Sequence, residues 1–116
     1  MILVIDDDEI MRECAVRVVR RMGREVKGFS NGIEAMQEIS ESGAPELVVM
    51  DVMLTGPDGF TFLNEMMSYT DTMKVPVVVV TDVALDAEDL SAYGVVGVLK
   101  KDTVTPEEIR EYVGRY

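Results

Sequence analysis

Short apolar runs alternate five times along the chain with longer segments whose apolar positions recur every three or four residues. That change of period predicts strands alternating with helices. Ile2-Leu3-Val4-Ile5 forms the first run, and a helix over about residues 9–22 follows, with Met11, Cys14/Ala15, Val18 and Met22 on one stripe and Gly23 as its stop. A weaker run lies at about 25–29. The next helix covers about 32–40, with Ile33, Met36 and Ile39/Ser40 spaced for one face and Gly43 beyond its end. The third run, about 46–50, leads to a helix over about 58–68 that buries Phe62, Leu63 and Met66 and takes Asp58 as its N-cap. Pro76 heads the run Val77-Val78-Val79-Val80, where a missing N–H is tolerated. Its unbroken valines read as a strand covered on both faces. A short polar helix at about 85–92, carrying Asp86, Glu88 and Asp89, reads as the least stable of the set. After a strand at about 95–99, Thr105-Pro106-Glu107-Glu108 starts the last helix with a capping box and Pro in its first turn.

Five strand–helix repeats in 116 residues predict one α/β domain, a parallel sheet with helices on both faces. Right-handed crossovers place the carboxyl ends of all the strands on one rim, where ligands bind in open α/β sheets. Chemistry-bearing residues stand at four of those ends. Asp6, Asp7 and Asp8 follow the first run and Asp51 the third; Thr81 follows the fourth, and Lys100-Lys101 the fifth. A carboxylate at the end of a buried strand is costly unless something there uses it. Clustered carboxylates suit a hard cation such as Mg²⁺, and the cation lets them share a small space in ionised form. A carboxylate also serves as a nucleophile toward phosphorus, and phosphoryl transfer needs positioning and charge neutralisation above all. Each residue also has a plainer role open to it. Asp8 reads as the cap of the first helix, Thr81 as a loop hydroxyl bonded to backbone, and either lysine as a surface cation.

Composition removes other classes. There is no histidine, so His-based triads and His metal sites are excluded. The net charge of −11 argues against nucleic-acid binding by this domain. No apolar stretch approaches the ~20 residues of a membrane span, and because Met1 leads straight into a strand no signal peptide is expected. The single cysteine, Cys14, fits a reducing cytoplasm and reads as a small buried hydrophobe. Charge is uneven: residues 10–27 hold six basic side chains against two acids, whereas residues 28–99 hold twelve acids against Lys74 alone. The basic stretch is either a solvated helix face or a docking face for an acidic partner.

Taken together, Ile2-Leu3-Val4-Ile5-Asp6-Asp7-Asp8, the segment from Leu47 to Gly59, Pro76 to Thr81, and Gly97-Val98-Leu99-Lys100-Lys101 resemble the receiver (CheY-like) domains of two-component response regulators, over essentially the whole chain. The resemblance implies a flavodoxin-like (βα)5 three-layer fold with strand order 2-1-3-4-5. It implies Asp51 as phosphoacceptor, Asp6 and Asp7 as the acidic pair for Mg²⁺, the Met53 backbone carbonyl as a further ligand, and Thr81 as the switch hydroxyl. It selects Lys101 over Lys100 as the site lysine. The implied partners are a sensor histidine kinase or histidine phosphotransfer protein as donor, and a downstream effector or an output domain outside this chain. The output surface would be formed by the fourth helix, fifth strand and fifth helix.

Three positions depart from the family pattern. Asp102 stands where Pro usually follows the lysine, and since a cis non-proline bond costs about 2.5–4 kcal/mol, a trans or rearranged loop is expected. Val98 replaces the usual aromatic residue of the fifth strand, and Asp82 the usual small residue after the hydroxyl. Two rival readings differ in class. One is a receiver-like interaction module that works without phosphorylation. The other is a Mg²⁺-dependent phosphatase with an aspartyl nucleophile, which Met53 disfavours by standing where such enzymes carry an acid.

Overall fold

In the computed structural model, which describes residues 1–54 and 59–116, the alternating pattern resolves into β1 (Ile2–Ile5), α1 (Glu9–Arg21), β2 (Val26–Phe29), α2 (Gly32–Ser42), β3 (Leu47–Met50), α3 (Gly59–Met67), β4 (Val77–Thr81), α4 (Ala87–Leu90), β5 (Val95–Lys100) and α5 (Pro106–Gly114). All strand pairings are parallel, and the order is β2-β1-β3-β4-β5, the flavodoxin-like arrangement. Ile5 is level with both Phe29 and Met50, so the residues that follow β1 and β3 emerge side by side.

The alternation of side chains along each strand divides the interior into two cores. Leu3, Ile5, Val48, Met50, Val77 and Val79 face α2 and α3, whereas Ile2, Val4, Leu47, Val49, Val78 and Val80 face α1 and α5. Every residue of β1, β3 and β4 is buried, which is why these strands read as continuous apolar runs. The edge strand β5 alternates instead, burying Val95, Gly97 and Leu99.

Helix ends follow the sequence signals closely. The Asp8 side chain caps α1 by accepting from the N–H groups of Ile10 and Met11. Thr105 and Glu108 form the expected reciprocal capping box of α5. The expected cap at Asp58 lies outside the described residues. Helix faces needed correction. Cys14 is exposed, because α1 turns Ala15, Val16, Val18 and Val19 inward and a step of about 100° per residue carries position 14 off that stripe. In α2, Gly32, Ala35 and Ile39 are buried and Ile33 is 61% exposed. The small residues allow close approach: a Cβ on Gly32 would sit 3.2 Å from the Phe62 Cβ. The polar fourth helix is shorter than expected, and its continuation, Ser91–Tyr93, tightens to a 3-10 turn.

Two further glycines mark tight packing. A Cβ on Gly59 would lie 2.4 Å from the Val52 Cα, and one on Gly97 would lie 2.4 Å from the Tyr112 ring. Backbone yields less readily than a side chain. Gly59→Ala is therefore expected to destabilise the fold by about 3 kcal/mol and Gly97→Ala by about 1 kcal/mol, both within the range for overpacking. Urea denaturation checks the order; equal losses would show that the Val52 backbone gives way as easily as the Tyr112 ring.

Candidate functional site

The strand ends converge as their register requires. The Asp6 N–H donates to the Phe29 carbonyl at 3.0 Å, the Asp51 N–H to the Ile5 carbonyl at 3.1 Å, and the Lys101 N–H to the Thr81 carbonyl at 3.0 Å. Ladder hydrogen bonds of the sheet thus extend one residue past the strands and fix the backbone from which each functional side chain departs. Asp6 and Asp51 are each only 5% exposed.

A single ammonium joins them. Lys101 Nζ donates to Asp6 Oδ1 at 3.0 Å and to Asp51 Oδ2 at 2.9 Å, and stands 4.0 Å from Asp8 Oδ2. The carboxylates have further donors: the Met53 N–H to Asp51 Oδ1 at 2.9 Å and the Asp8 N–H to Asp6 Oδ1 at 2.9 Å. Lys100 is exposed, so its neighbour Lys101 is the lysine that the fold brings to the carboxylates. Asp7 is exposed beside them. The Thr81 hydroxyl is buried and accepts from the Val83 N–H at 3.3 Å. The Lys101–Asp102 peptide is trans, as expected without proline.

Burial raises the pKa of Asp6, and repulsion from Asp51 adds to the rise; the Asp8 N–H and Lys101 work against it. Burial also opposes charge on Lys101, but the hydrogen bonds to Asp51 and Asp6 outweigh it and hold the ammonium well above the ordinary lysine value. The site thus holds two buried acids balanced by one cation. Among the described residues no three acidic, His or Cys side chains converge at metal-ligand spacing. The sequence reading missed Arg12, whose Nη1 donates to the Asp6 carbonyl at 2.9 Å. Its place one turn after the cap Asp8 and one turn before the buried Val16, with which it packs over Gly28 of β2, was the available signal.

A sequence model described as the response regulator receiver domain matches residues 2–114. The chain belongs to that family. The receiver domain is 32% identical over 80 residues to the transcriptional regulatory protein GltR of Pseudomonas aeruginosa, covering 69% of this chain and 33% of that protein. It spans about a third or less of the length of the curated relatives it matches. Among solved structures, the receiver domain of NtrX from Brucella abortus matches with a TM-score of 0.86 and 23% identity, covering 99% of this chain and 96% of that one. The receiver domain of the sensor histidine kinase PA1611 from Pseudomonas aeruginosa, described with a magnesium ion coordinated in its active site cleft, matches with a TM-score of 0.83 and 24% identity over 99% of this chain and 94% of that one. At these identities the structural matches establish the shared fold.

The ion pair gives the receiver domain a pH-dependent stability. Removing the cation by Lys101→Met leaves Asp6 and Asp51 buried together, and in metal-free buffer near neutral pH the loss is expected to be about 3 kcal/mol. Burial already raises the pKa of Asp6, and losing Lys101 removes a partner that works against that rise, so the variant gains stability as pH falls. Its deficit relative to wild type should therefore shrink toward pH ~4, the ordinary carboxylate range. Chemical denaturation of both proteins across that range checks the sign. A deficit that stays constant with pH would mean that the loss comes from packing and not from the carboxylates.

Proposed function

We propose that this receiver domain accepts a phosphoryl group on Asp51, and that the arrangement of Lys101 between Asp51 and Asp6, 2.9 and 3.0 Å from each, is the observation that carries the reading. The donor would be the phosphohistidine of a sensor histidine kinase or a histidine phosphotransfer protein, as expected for the family. A carboxylate oxygen of Asp51 attacks phosphorus; the O–P bond forms as the P–N bond breaks, and the imidazole leaves. The Lys101 ammonium, already against Asp51 Oδ2, follows the negative charge onto a phosphoryl oxygen. The Thr81 hydroxyl is the donor available at the next strand end.

Asp6, Asp7, Asp51 and the Met53 carbonyl would hold Mg²⁺. They are hard oxygen donors at and just after neighbouring strand ends, where Lys101 rather than a converged acidic triad stands between Asp6 and Asp51 in this structure, and the raised pKa of Asp6 marks a carboxylate that gains from a nearby cation. Bound there, the ion would neutralise charge on the transferring phosphoryl group. The domain would catalyse only its own phosphorylation and dephosphorylation, since Met53, two residues past Asp51, has no acid to serve an external substrate.

The signal would leave through β4 and α4. Once the Thr81 hydroxyl turns toward a phosphoryl oxygen, its contact with the Val83 N–H is lost, and residues 82–86 lead directly into a helix of only four residues. The recipient would be a downstream effector or an output domain outside this chain. No helix among the described residues is long and apolar enough to cross a membrane, and the reading puts the domain in the cytoplasm beside its kinase.

Acetyl phosphate with Mg²⁺ should add one acid-labile phosphoryl group to the wild type, Asp51→Asn should take up none, and Asp7→Ala should lower labelling at least ~10-fold by weakening the cation site. Intact mass spectrometry reads all three; equal labelling of wild type and Asp51→Asn would overturn the assignment. The acyl phosphate should also be long-lived. Met53 and Val83, 57% and 40% exposed beside the site, are apolar and orient no attacking water. A half-life of many minutes or longer at neutral pH in Mg²⁺ is expected, and decay within seconds would refute it.

A further inference from the structure

At the far end of α2 and α3 from the carboxylates, a groove of about 520 Å³ is lined by Met36, Ile39, Ser40, Glu65, Tyr69 and Asp71, among others. Its size lies in the range of binding pockets. Ile39 is buried and Met36 half-buried, whereas Glu65, Tyr69 and Asp71 are exposed, so the groove has an apolar side and two carboxylates in contact with water. Neither carboxylate forms an ion pair among the described residues. No lysine or arginine lines the groove, and residues 28–73, which include all of α2 and α3, contain none. The surroundings are therefore negative as well, with Glu34, Glu38 and Glu41 on α2, of which Glu38 pairs with Lys27.

We propose that this α2–α3 groove is a docking site for a partner-protein segment that carries Lys or Arg beside a large apolar side chain. The two halves of that chemistry answer the two halves of the groove. The apolar side chain covers Met36 and the Tyr69 ring, and the cation meets Glu65 and Asp71 with the ring available for a cation–π contact. Two solvated carboxylates hold a free amine only weakly, because water and salt screen them. A chain segment adds apolar burial and so fits the groove better than a small cation does. The site is separate from Asp51 and does not depend on phosphorylation there.

The test uses the complete chain and a short peptide alternating Leu and Arg, with Leu–Glu and Ser–Arg peptides as controls. Amide shifts on adding the Leu–Arg peptide should concentrate at residues 36–43 and 65–72. Glu65→Lys with Asp71→Lys should weaken its binding at least ~10-fold, whereas Glu13→Lys with Glu25→Lys, the same charge change elsewhere, should leave it within ~2-fold; all four positions are exposed, so the fold is kept. Both control peptides should bind more weakly than Leu–Arg. Shifts spread over the whole acidic surface, equal losses in the two double variants, or equal binding of Ser–Arg would each overturn the proposal. So would sedimentation showing that the chain associates with itself through this groove, which would make a second copy the occupant.

Discussion

Two carboxylates buried at neighbouring strand ends share one ammonium that arrives from the end of the edge strand β5, and the carboxyl edge of the domain is organised around that contact. The hydrogen bonds of Lys101 reach residues 95 and 50 positions away in sequence, tying the ends of β1 and β3 to the residue after β5. Buried carboxylates are tolerated only when paired and hydrogen-bonded, and removing the partner costs more than the pair contributes. Each carboxylate accordingly has a backbone N–H as well, from Asp8 or Met53. The ammonium is placed by backbone in turn, since the Lys101 N–H donates to the Thr81 carbonyl. A shift of β5 against β4 would therefore move the cation relative to both acids.

The two faces of the sheet differ in charge as well as in packing. On one side α1 carries the basic surplus, and Arg12 reaches from it to the Asp6 carbonyl, so part of that surplus serves the site. On the other side α2 and α3 carry only acids among their charged residues. The two faces are not opposite in sign, because α5, which shares the face of α1, carries Glu107, Glu108 and Glu111 against Arg110; the contrast is between a mixed face and an acidic one, which favours different partners.

On β5, Val98 stands where the family usually carries an aromatic side chain. Val98 is half-buried and borders a cleft of about 440 Å³ that Val83, Ala84, Leu85, Asp86 and Lys100 also line. Its β-branched side chain has few rotamers and no ring to rotate. Tyr93 does not substitute for it. Its ring packs edge-on against Phe60 with centroids 6.4 Å apart, which ties it to α3 and away from Thr81. Beside the hydroxyl lies the segment 82–86 with the short α4, whose residues apart from Leu90 are exposed.

The sequence by itself determined the order of elements, the identity of the strands and the residues at their carboxyl ends, because runs such as Val77 to Val80 and the punctuation at Asp8, Gly43 and Thr105 are local signals. It also carried the family, since the strand-end residues sit at spacings that few other folds share. The phase of each helix was decided by the tertiary structure. Cys14 and Ile33 are apolar enough for either side, and only the packing of Ala15 and Val19 on the sheet, and of Gly32 and Ala35 against α3, settled which faces turned inward. The choice among Asp6, Asp7 and Asp8 was likewise a matter of register: Asp6 continues the ladder and is buried, Asp8 caps α1, and Asp7 remains exposed. Adjacent residues of one type are indistinguishable by composition. They separate only when the sheet sends the first inward, and the helix turns the third to its own N-terminus.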